Sequence, residues 1–239
     1  MLKEALQYLV GLAGPKTVEV EGFTYSDSRL QLISEPKAAP LQVTTLSAIV
    51  EYLQSGFDQG FGNFEQSEVV VHVASPTKVN VVSVLFEDGE REIYMTATPV
   101  PVTFQYGQYY NVENFIIALQ SCFENAEDRA KILKLVGNLK DEQVRTVGDD
   151  GVTQQVTAKT GIAAVENVIV PNPVSLQPYR TFIEVEQPVS NFVFRIRKGN
   201  QGPECALFEA DGGYWRINAM TEIQSHLVEE LGEDFKVIS

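Results

Sequence analysis

The stretch 176–230 constrains the fold most, because apolar and polar residues alternate in it with the two-residue period of a half-buried β-strand. In its clearest run, Phe192, Phe194 and Ile196 fall on one face, and Arg195 and Arg197 fall on the other. The stretch predicts four consecutive antiparallel strands, at 180–187, 192–197, 205–209 and 214–217.

A turn and a helix complete this pattern. Asp211-Gly212 is typical of a tight hairpin turn, since both central residues of such a turn favour positive φ. After the fourth strand, Asn218 is a suitable N-cap, and apolar residues recur at helical spacing until Gly232. A meander with a helix packed on one face forms two layers around one core.

The same kinds of element recur upstream. Runs at 69–73, 78–86 and 91–97 predict a second meander, and shorter strands are predicted at 17–20, 23–25, 30–33, 143–147, 152–158 and 163–170. Helices are predicted at the N-terminus, after Thr44 or Thr45, after Asn111 and after Asn125. We therefore predict an α+β fold of antiparallel β meanders with helices packed on one face. The stiff segment 98–103 (TPVPVT) divides this single unit into two lobes, 1–98 and 104–239.

Charge and hydropathy limit the partners. The chain has 239 residues and a formal net charge of −14, which disfavours general binding to nucleic-acid backbones. No apolar run approaches the roughly 18 residues that a membrane span needs. Glu4 and Gln7 interrupt the apolar N-terminus, which favours an amphipathic helix over a signal peptide. We read Cys122 and Cys205 as reduced core residues of a cytoplasmic protein.

The residue types for metal or nucleophilic chemistry are sparse. His72 and His226 are the only histidines, and no zinc-like cluster of histidines and cysteines occurs. Asp149-Asp150 fits a solvated turn better than a cation site, and Cys205 with His226 fits a nucleophilic pair only if the fold brings them together. The sequence has no Gly-x-Ser-x-Gly elbow and no Walker or Gly-x-Gly-x-x-Gly loop. We therefore predict no metal and no cofactor.

The arginines of the 176–230 stretch are the main candidates for a ligand site. Arg180, Arg195 and Arg197 could lie on one side of adjacent strands, near Tyr214 and Trp215. Guanidinium groups bind phosphate in a bidentate way, and aromatic rings stack on bases, so this set predicts a site for a nucleotide-like anion. The alternative is cross-strand ion pairing, of Arg197 with Glu204 or of Arg195 with Glu209, and Trp215 could equally be a core anchor.

Two carboxylates share the face of Arg180. Glu184 and Glu186 are two residues apart on the predicted strand, which spaces them by roughly 6.5–7 Å. They fit either an acid/base pair or a solvated, ion-paired sheet face.

Several phrases together resemble an uncharacterised family encoded by phages and prophages, the YfdQ-like family. They are PLQVTTLSAIVEYL at 40–53, ASPTKV at 74–79, NFIIALQSCF at 114–123, DDGVTQQVTAKTGIA at 149–163, PYRTFIEVEQP at 178–188 and ALFEADGGYW at 206–215. None of these phrases is a catalytic motif. The resemblance implies a phage gene expressed in the host bacterial cytoplasm, with an early accessory role.

These observations predict a non-catalytic phage accessory protein that binds a host factor. In one version it sequesters a small anionic nucleotide signal as a counter-defence, through Arg180, Arg195, Arg197 and Trp215. The alternatives are a protein-interaction factor of phage replication or recombination, and an enzyme that uses Glu184 and Glu186. We also expect a homo-oligomer, because the edges of long meanders need cover.

Overall fold

The computed structural model describes residues 2–13, 16–20, 23–26, 39–60, 68–86, 89–139, 146–149, 154–160 and 164–239. The chain forms two compact units, Met1–Ala38 and Ala39–Ser239. In the first unit, helix α1 (Leu2–Ala13) precedes an antiparallel hairpin of β1 (Thr17–Val20) and β2 (Phe23–Ser26). Both elements are as predicted, and the strand predicted at 30–33 lies outside the described residues.

The second unit contains a five-stranded mixed sheet. Its centre is the predicted antiparallel meander of β4 (Val69–Ser75), β5 (Lys78–Ser83) and β6 (Ile93–Ala97). One short strand lies parallel at each edge, β3 (Leu41–Val43) beside β6 and β14 (Lys236–Ile238) beside β4. The α+β fold class is therefore confirmed.

Two helices pack on this sheet. Helix α2 (Leu46–Ser55) and helix α5 (Trp215–Leu231) share one buried cluster with alternate residues of β4. The predicted start of α2 is confirmed, because the Thr45 hydroxyl accepts a hydrogen bond from the N–H of Ala48 at 3.3 Å. The division into lobes at 98–103 stays a prediction, and α5 and β14 belong to the same layers as β3–β6.

A four-stranded antiparallel sheet forms a second core. Its order is β11 (Val174–Leu176), β12 (Ser190–Gly199), β13 (Gly202–Glu209) and β7 (Tyr110–Asn111). Helices α3 (Val112–Cys122) and α4 (Glu127–Gly137) contribute to the same buried cluster, which is rich in phenylalanine. The strands predicted at 192–197 and 205–209 are confirmed, including the buried face of Phe192, Phe194 and Ile196.

The helical pair α3–α4 follows the prediction except at one cap. Asn111 caps α3 as predicted, since its Oδ1 accepts a hydrogen bond from the N–H of Asn114 at 2.8 Å. The predicted cap at Asn125 is wrong. Ala126 occupies that position, and it supplies no side-chain oxygen to the first turn of α4.

A separate three-stranded sheet consists of β8 (Thr146–Asp149), β9 (Gln154–Thr160) and β10 (Ala164–Val170). Gln154 of this sheet and the nearby Asn172 complete the outer edge of β12 with their amide side chains. Gln154 donates to the carbonyl of Ile196 at 2.7 Å and accepts from its N–H at 3.0 Å. Asn172 makes the same pair of bonds with Phe194, at 3.0 and 2.7 Å. Each amide thus replaces one residue of a neighbouring strand and satisfies buried backbone groups.

The strand predicted at 180–187 is wrong, because this segment is a loop closed by Gln187. The Gln187 side chain accepts from the N–H of Arg180 at 3.1 Å and donates to the carbonyls of Phe182 at 2.9 Å and Val185 at 3.2 Å. A buried glutamine therefore supplies bonds that a strand ladder would otherwise provide. The predicted alternation fails as well, since Ile183 is 80% exposed while its nominal face-mate Val185 is buried.

The strand predicted at 214–217 is also wrong, because α5 already begins at Trp215. Gly212 and Gly213 have φ of 64° and 82°, which glycine adopts without strain. The Asp211 carboxylate accepts from the N–H of Gly213 at 2.9 Å, so the segment is an Asx turn leading into a helix. Asn218 consequently lies within α5 and does not cap it. The predicted end at Gly232 is confirmed.

Candidate functional site

The three arginines predicted to form one site are separated along the β12–β13 hairpin. Arg197 lies opposite Glu204 near the hairpin turn, whereas Glu209, the partner of Arg180, lies at the other end opposite Phe192. Arg195 shares the outer face of β12 with Arg197 and lies opposite Ala206. The register therefore confirms the predicted pairing of Arg197 with Glu204. The predicted pairing of Arg195 with Glu209 is wrong, because Glu209 lies opposite Phe192.

Arg180 lies in a buried polar centre. Its Nη1 is 2.8 Å from Oε1 of Glu209, its Nη2 donates to the Ser190 hydroxyl, and Oδ2 of Asp211 is 3.8 Å from the same nitrogen. The guanidinium carbon lies 3.9 Å from the centroid of the Trp215 ring. Only 11% of the Arg180 side chain is exposed. Two carboxylates thus compensate this cation, and Trp215 packs on it.

Burial and neighbouring charges shift the pKa values of Arg180 and Asp211. Burial lowers the pKa of Arg180, and the charges of neighbouring groups, Glu209 and Asp211 among them, offset part of that shift. For Asp211, burial alone would raise the pKa, but the Ser190 hydroxyl, the Gly213 N–H and the charge of Arg180 together hold the pKa below its usual value. The centre is an internal ion pair in which Asp211 is stabilised as a carboxylate.

Glu184 holds the start of α2. Its carboxylate accepts hydrogen bonds from the backbone N–H groups of Leu46 and Ser47, both at 2.7 Å, and from the Ser47 hydroxyl at 2.6 Å. Burial would raise the pKa of Glu184, but these hydrogen bonds outweigh burial and lower the pKa. A carboxylate held ionised in this way suits helix capping better than proton donation. Glu186 and Tyr214 have exposed side chains.

Among the residues predicted to bind a ligand, Arg197 lies at the edge of a cleft. Its Nε is 2.8 Å from Oε2 of Glu204, and its guanidinium carbon lies 3.7 Å from the centroid of the Tyr109 ring. Both Glu204 and Tyr109 line a cleft of about 500 Å³. More than half of the Arg197 side chain, 54%, is exposed. The guanidinium of Arg197 therefore lies over the Tyr109 ring and is oriented by the Glu204 carboxylate.

The cleft lies between the β12–β13 turn and the start of α3. Pairing of β7 with β13 fixes its two sides, because Asn111 lies opposite Glu204. Its lining consists of amide, tyrosine and turn residues: Gln108, Tyr109, Tyr110, Asn111, Asn114, Asn200, Gln201, Gly202, Pro203 and Glu204. Amide groups both donate and accept hydrogen bonds, and Glu204 is the charged member of the described lining. Such a wall suits an uncharged polar ligand.

A second cavity has a different character. An apolar groove of about 530 Å³ is lined mainly by the extended segment 98–103 and the Gln187-closed loop: Thr44, Pro99, Val100, Pro101, Val102, Ser121, Tyr179, Thr181 and Ile183. Val100 and Ile183 are 84% and 80% exposed. The groove has few groups that could orient a polar molecule.

Groups for metal or thiol chemistry are not assembled in the described part of the chain. No cluster of three or more His, Cys, Asp or Glu residues suited to a metal ion occurs among those residues, and Asp150 lies outside them. Cys122 and Cys205 are free and buried as predicted. Burial raises the pKa of the Cys205 thiol to about 12, which disfavours the reactive thiolate. Among the described helices, none is long and apolar enough to cross a membrane.

Sequence reasoning missed most of the cleft. Of the lining, it identified Glu204 and the capping role of Asn111, and it identified Arg197 at the edge, but not Tyr109, Asn114 or Gln201. The available signal was local composition, since both QYGQYYN at 105–111 and GNQG at 199–202 are rich in amides and glycine. The β7–β13 pairing, which links residues distant in the sequence, brings these segments together.

Comparisons of the chain with models of known protein families, with curated proteins and with solved structures found no match. The resemblance to the YfdQ-like phage family therefore stays a prediction.

Proposed function

We propose that the protein is a non-catalytic binding protein that holds a small polar molecule in the cleft between the β12–β13 turn and the start of α3. The observation that carries this proposal is the lining of the cleft, in which amides and tyrosines surround about 500 Å³. This volume lies within the usual range of small-molecule sites, roughly 300–1,000 Å³.

The surroundings of the reactive side chains favour binding over catalysis. Glu184 is engaged at the start of α2, and the thiol of Cys205 is buried. The cleft itself is lined by groups that orient a ligand through hydrogen bonds and ring contacts. At neutral pH, amides and tyrosine hydroxyls are poor acceptors of a full proton.

The ligand that fits best carries little or no negative charge. Arg180 is compensated by Glu209 and Asp211, and Arg197 is compensated by Glu204. An anion in the cleft would face the Glu204 carboxylate and the formal charge of −14 on the whole chain. The anionic nucleotide expected from the sequence is therefore replaced by a neutral polar compound in this proposal.

Other expectations from the sequence stay predictions. Sequestration of a host compound in a bacterial cytoplasm remains compatible with a neutral ligand. A protein-interaction role in phage replication or recombination and a homo-oligomer do not depend on the cleft. The engagement of Glu184 at the start of α2 favours helix capping over an enzyme that uses Glu184 and Glu186.

Native mass spectrometry of gently purified protein, together with isothermal titration of uncharged nucleosides and saccharides, tests the proposal. We expect one class of compound to bind, and Asn114→Ala to weaken that binding about tenfold, as loss of a hydrogen bond in a ligand site does. Asn125→Ala, an exposed asparagine outside the cleft, is the matched control. Absence of any added mass, with no binding of any compound at millimolar concentration, would refute the proposal.

A further inference from the structure

We infer that the ligand of the cleft is a nucleobase, which stacks on the guanidinium of Arg197 above Tyr109 while neighbouring amides bond its edge. This inference rests on the proposed binding function and names the ligand class. The observation behind it is a layered arrangement at the edge of the cleft, in which Arg197 contacts two residues of the lining, Tyr109 and Glu204.

The spacing within this arrangement is that of stacked planar groups. The guanidinium carbon of Arg197 lies 3.7 Å from the ring centroid of Tyr109, and the Tyr109 ring in turn meets Phe208 edge-on at 6.2 Å. A guanidinium is planar and weakly hydrated, so it binds an aromatic ring on each of its faces. Bases stack on arginine planes in this way in proteins that bind single-stranded RNA.

Glu204 fixes the orientation of that plane. Its Oε2 holds Nε of Arg197 at 2.8 Å, and the cross-strand register places the two residues opposite each other. Gly199 makes room for this carboxylate, because a Cβ there would lie 2.5 Å from Cδ and Oε1 of Glu204. The guanidinium is thus oriented before any ligand binds, which reduces the entropic cost of ordering this side chain on binding.

The amides beside the stack match the edge of a base. Asn and Gln side chains can donate and accept at once, and they form bidentate pairs with adenine. Asn111 uses its Oδ1 to cap α3, so we assign the bonding of the base edge to Gln108, Asn114 and Gln201. These residues come from both sides of the cleft.

Two other ligand chemistries fit less well. A saccharide packs on an uncovered aromatic face, and the guanidinium of Arg197 covers a face of Tyr109. A phosphate would approach the Glu204 carboxylate, which lines the cleft and already compensates Arg197. The base could belong to a free nucleoside or to a single-stranded oligonucleotide. The acidity of the chain favours the free nucleoside.

Isothermal titration with the four ribonucleosides, their four monophosphates, short single-stranded oligonucleotides of each base and a set of mono- and disaccharides tests this inference. We expect at least one nucleoside to bind more tightly than its monophosphate, its oligonucleotide and every saccharide. Tighter binding of the oligonucleotide would identify a base within a strand as the source. Tighter binding of the monophosphate would overturn the inference, because the phosphate would then contribute to recognition.

Variants of Arg197 separate stacking from charge. Arg197→Met should weaken nucleoside binding about tenfold or more, the usual consequence of losing a stacking partner. Arg197→Lys keeps the charge but loses the plane, so we expect it to fail to restore binding. Arg216→Met is the matched control, because Arg216 is another exposed arginine, whose guanidinium carbon lies 5.1 Å from the Trp215 ring centroid.

Gly199→Ala tests the orienting role of Glu204 without changing the charge of the chain. Gly199 does not have a left-handed backbone, so alanine is tolerated there, and its Cβ would push the flexible Glu204 side chain away from Arg197. We expect an intermediate loss of nucleoside affinity. Nucleoside binding that is unchanged in Arg197→Met, or binding of saccharides alone, would overturn the nucleobase inference and leave the binding function standing. Failure of every probe with the wild-type protein would overturn both.

Discussion

Arg180 and Arg197 have similar partners at opposite ends of the β12–β13 hairpin. Each guanidinium carbon lies within 4 Å of an aromatic centroid, at 3.9 Å from Trp215 for Arg180 and at 3.7 Å from Tyr109 for Arg197. Each pairs with a glutamate at 2.8 Å. They differ in solvent access, since 11% of the Arg180 side chain and 54% of the Arg197 side chain are exposed.

This difference in burial separates a structural role from a binding role. A charge removed from water needs several partners, and Arg180 has a second carboxylate, Asp211, and the Ser190 hydroxyl. Arg180 itself lies in the Gln187-closed loop, and its partners come from the start of β12, the end of β13 and the approach to α5, so the centre connects the loop to three other segments. Solvent screens the exposed pair at Arg197, which therefore adds little stability and leaves a face of the guanidinium for the proposed ligand.

Replacing the buried arginine should have the largest effect. We expect Arg180→Met to lower the free energy of unfolding by about 3–5 kcal/mol, because it leaves the largely buried Asp211 carboxylate without its cation and also removes the partner of Glu209. Urea denaturation followed by circular dichroism measures this loss. A loss below about 1 kcal/mol would show that water compensates the carboxylates and that the two ends of the hairpin do not differ as we argue.

The loop that carries Arg180 should be the next most sensitive point. Gln187 is buried and bonds to backbone groups of the loop, so Gln187→Met leaves several of them unpaired. We expect a loss of about 2 kcal/mol, since part of the penalty for unpaired groups is relieved when the loop relaxes. Gln120→Met, an exposed glutamine on α3, is the control in the same urea assay. Equal stability of the two variants would argue against this account of the loop.

The 180–187 loop and the cleft show which features the sequence could not predict. The period of two identified β12 and β13, and cross-strand reasoning identified the Arg197–Glu204 pair, because both depend on nearby residues. The loop at 180–187 has the same alternation but receives its hydrogen bonds from a glutamine side chain. The cleft joins 108–114 to 200–204 through strand pairing, which no local pattern encodes.

Acid should lower the free energy of unfolding, in part through protonation of Asp211 in the buried centre around Arg180. The pKa of Asp211 is lower in the folded chain than in the unfolded chain, so its contribution is present above the unfolded value of about 4 and is lost as the pH falls through the folded value. Glu184, whose pKa is also lowered, contributes with the same sign. We expect Asp211→Asn to be less stable than wild type at pH 7, by less than Arg180→Met, because Glu209 still pairs with Arg180.

The decisive measurement for Asp211 is the difference between the two proteins as the pH changes. Urea midpoints of wild type and Asp211→Asn, taken from pH 7 to pH 3, should converge as the pH falls, since protonation of Asp211 removes the same charge as the substitution. A difference that is constant with pH would mean that Asp211 contributes through packing alone.

Replacing the exposed arginine should have the smallest effect on stability. We expect Arg197→Met to lower the free energy of unfolding by no more than about 1 kcal/mol, the upper end for an exposed ion pair or cation–π contact. Salt should reduce this loss further, because it screens exposed charges, whereas the loss in Arg180→Met should change little. Both variants are measured by urea denaturation at low and high salt. A salt-independent loss as large as that of Arg180→Met would mean that Arg197 also holds the fold together, and a guanidinium fixed in that way would have no exposed face on which a base could stack.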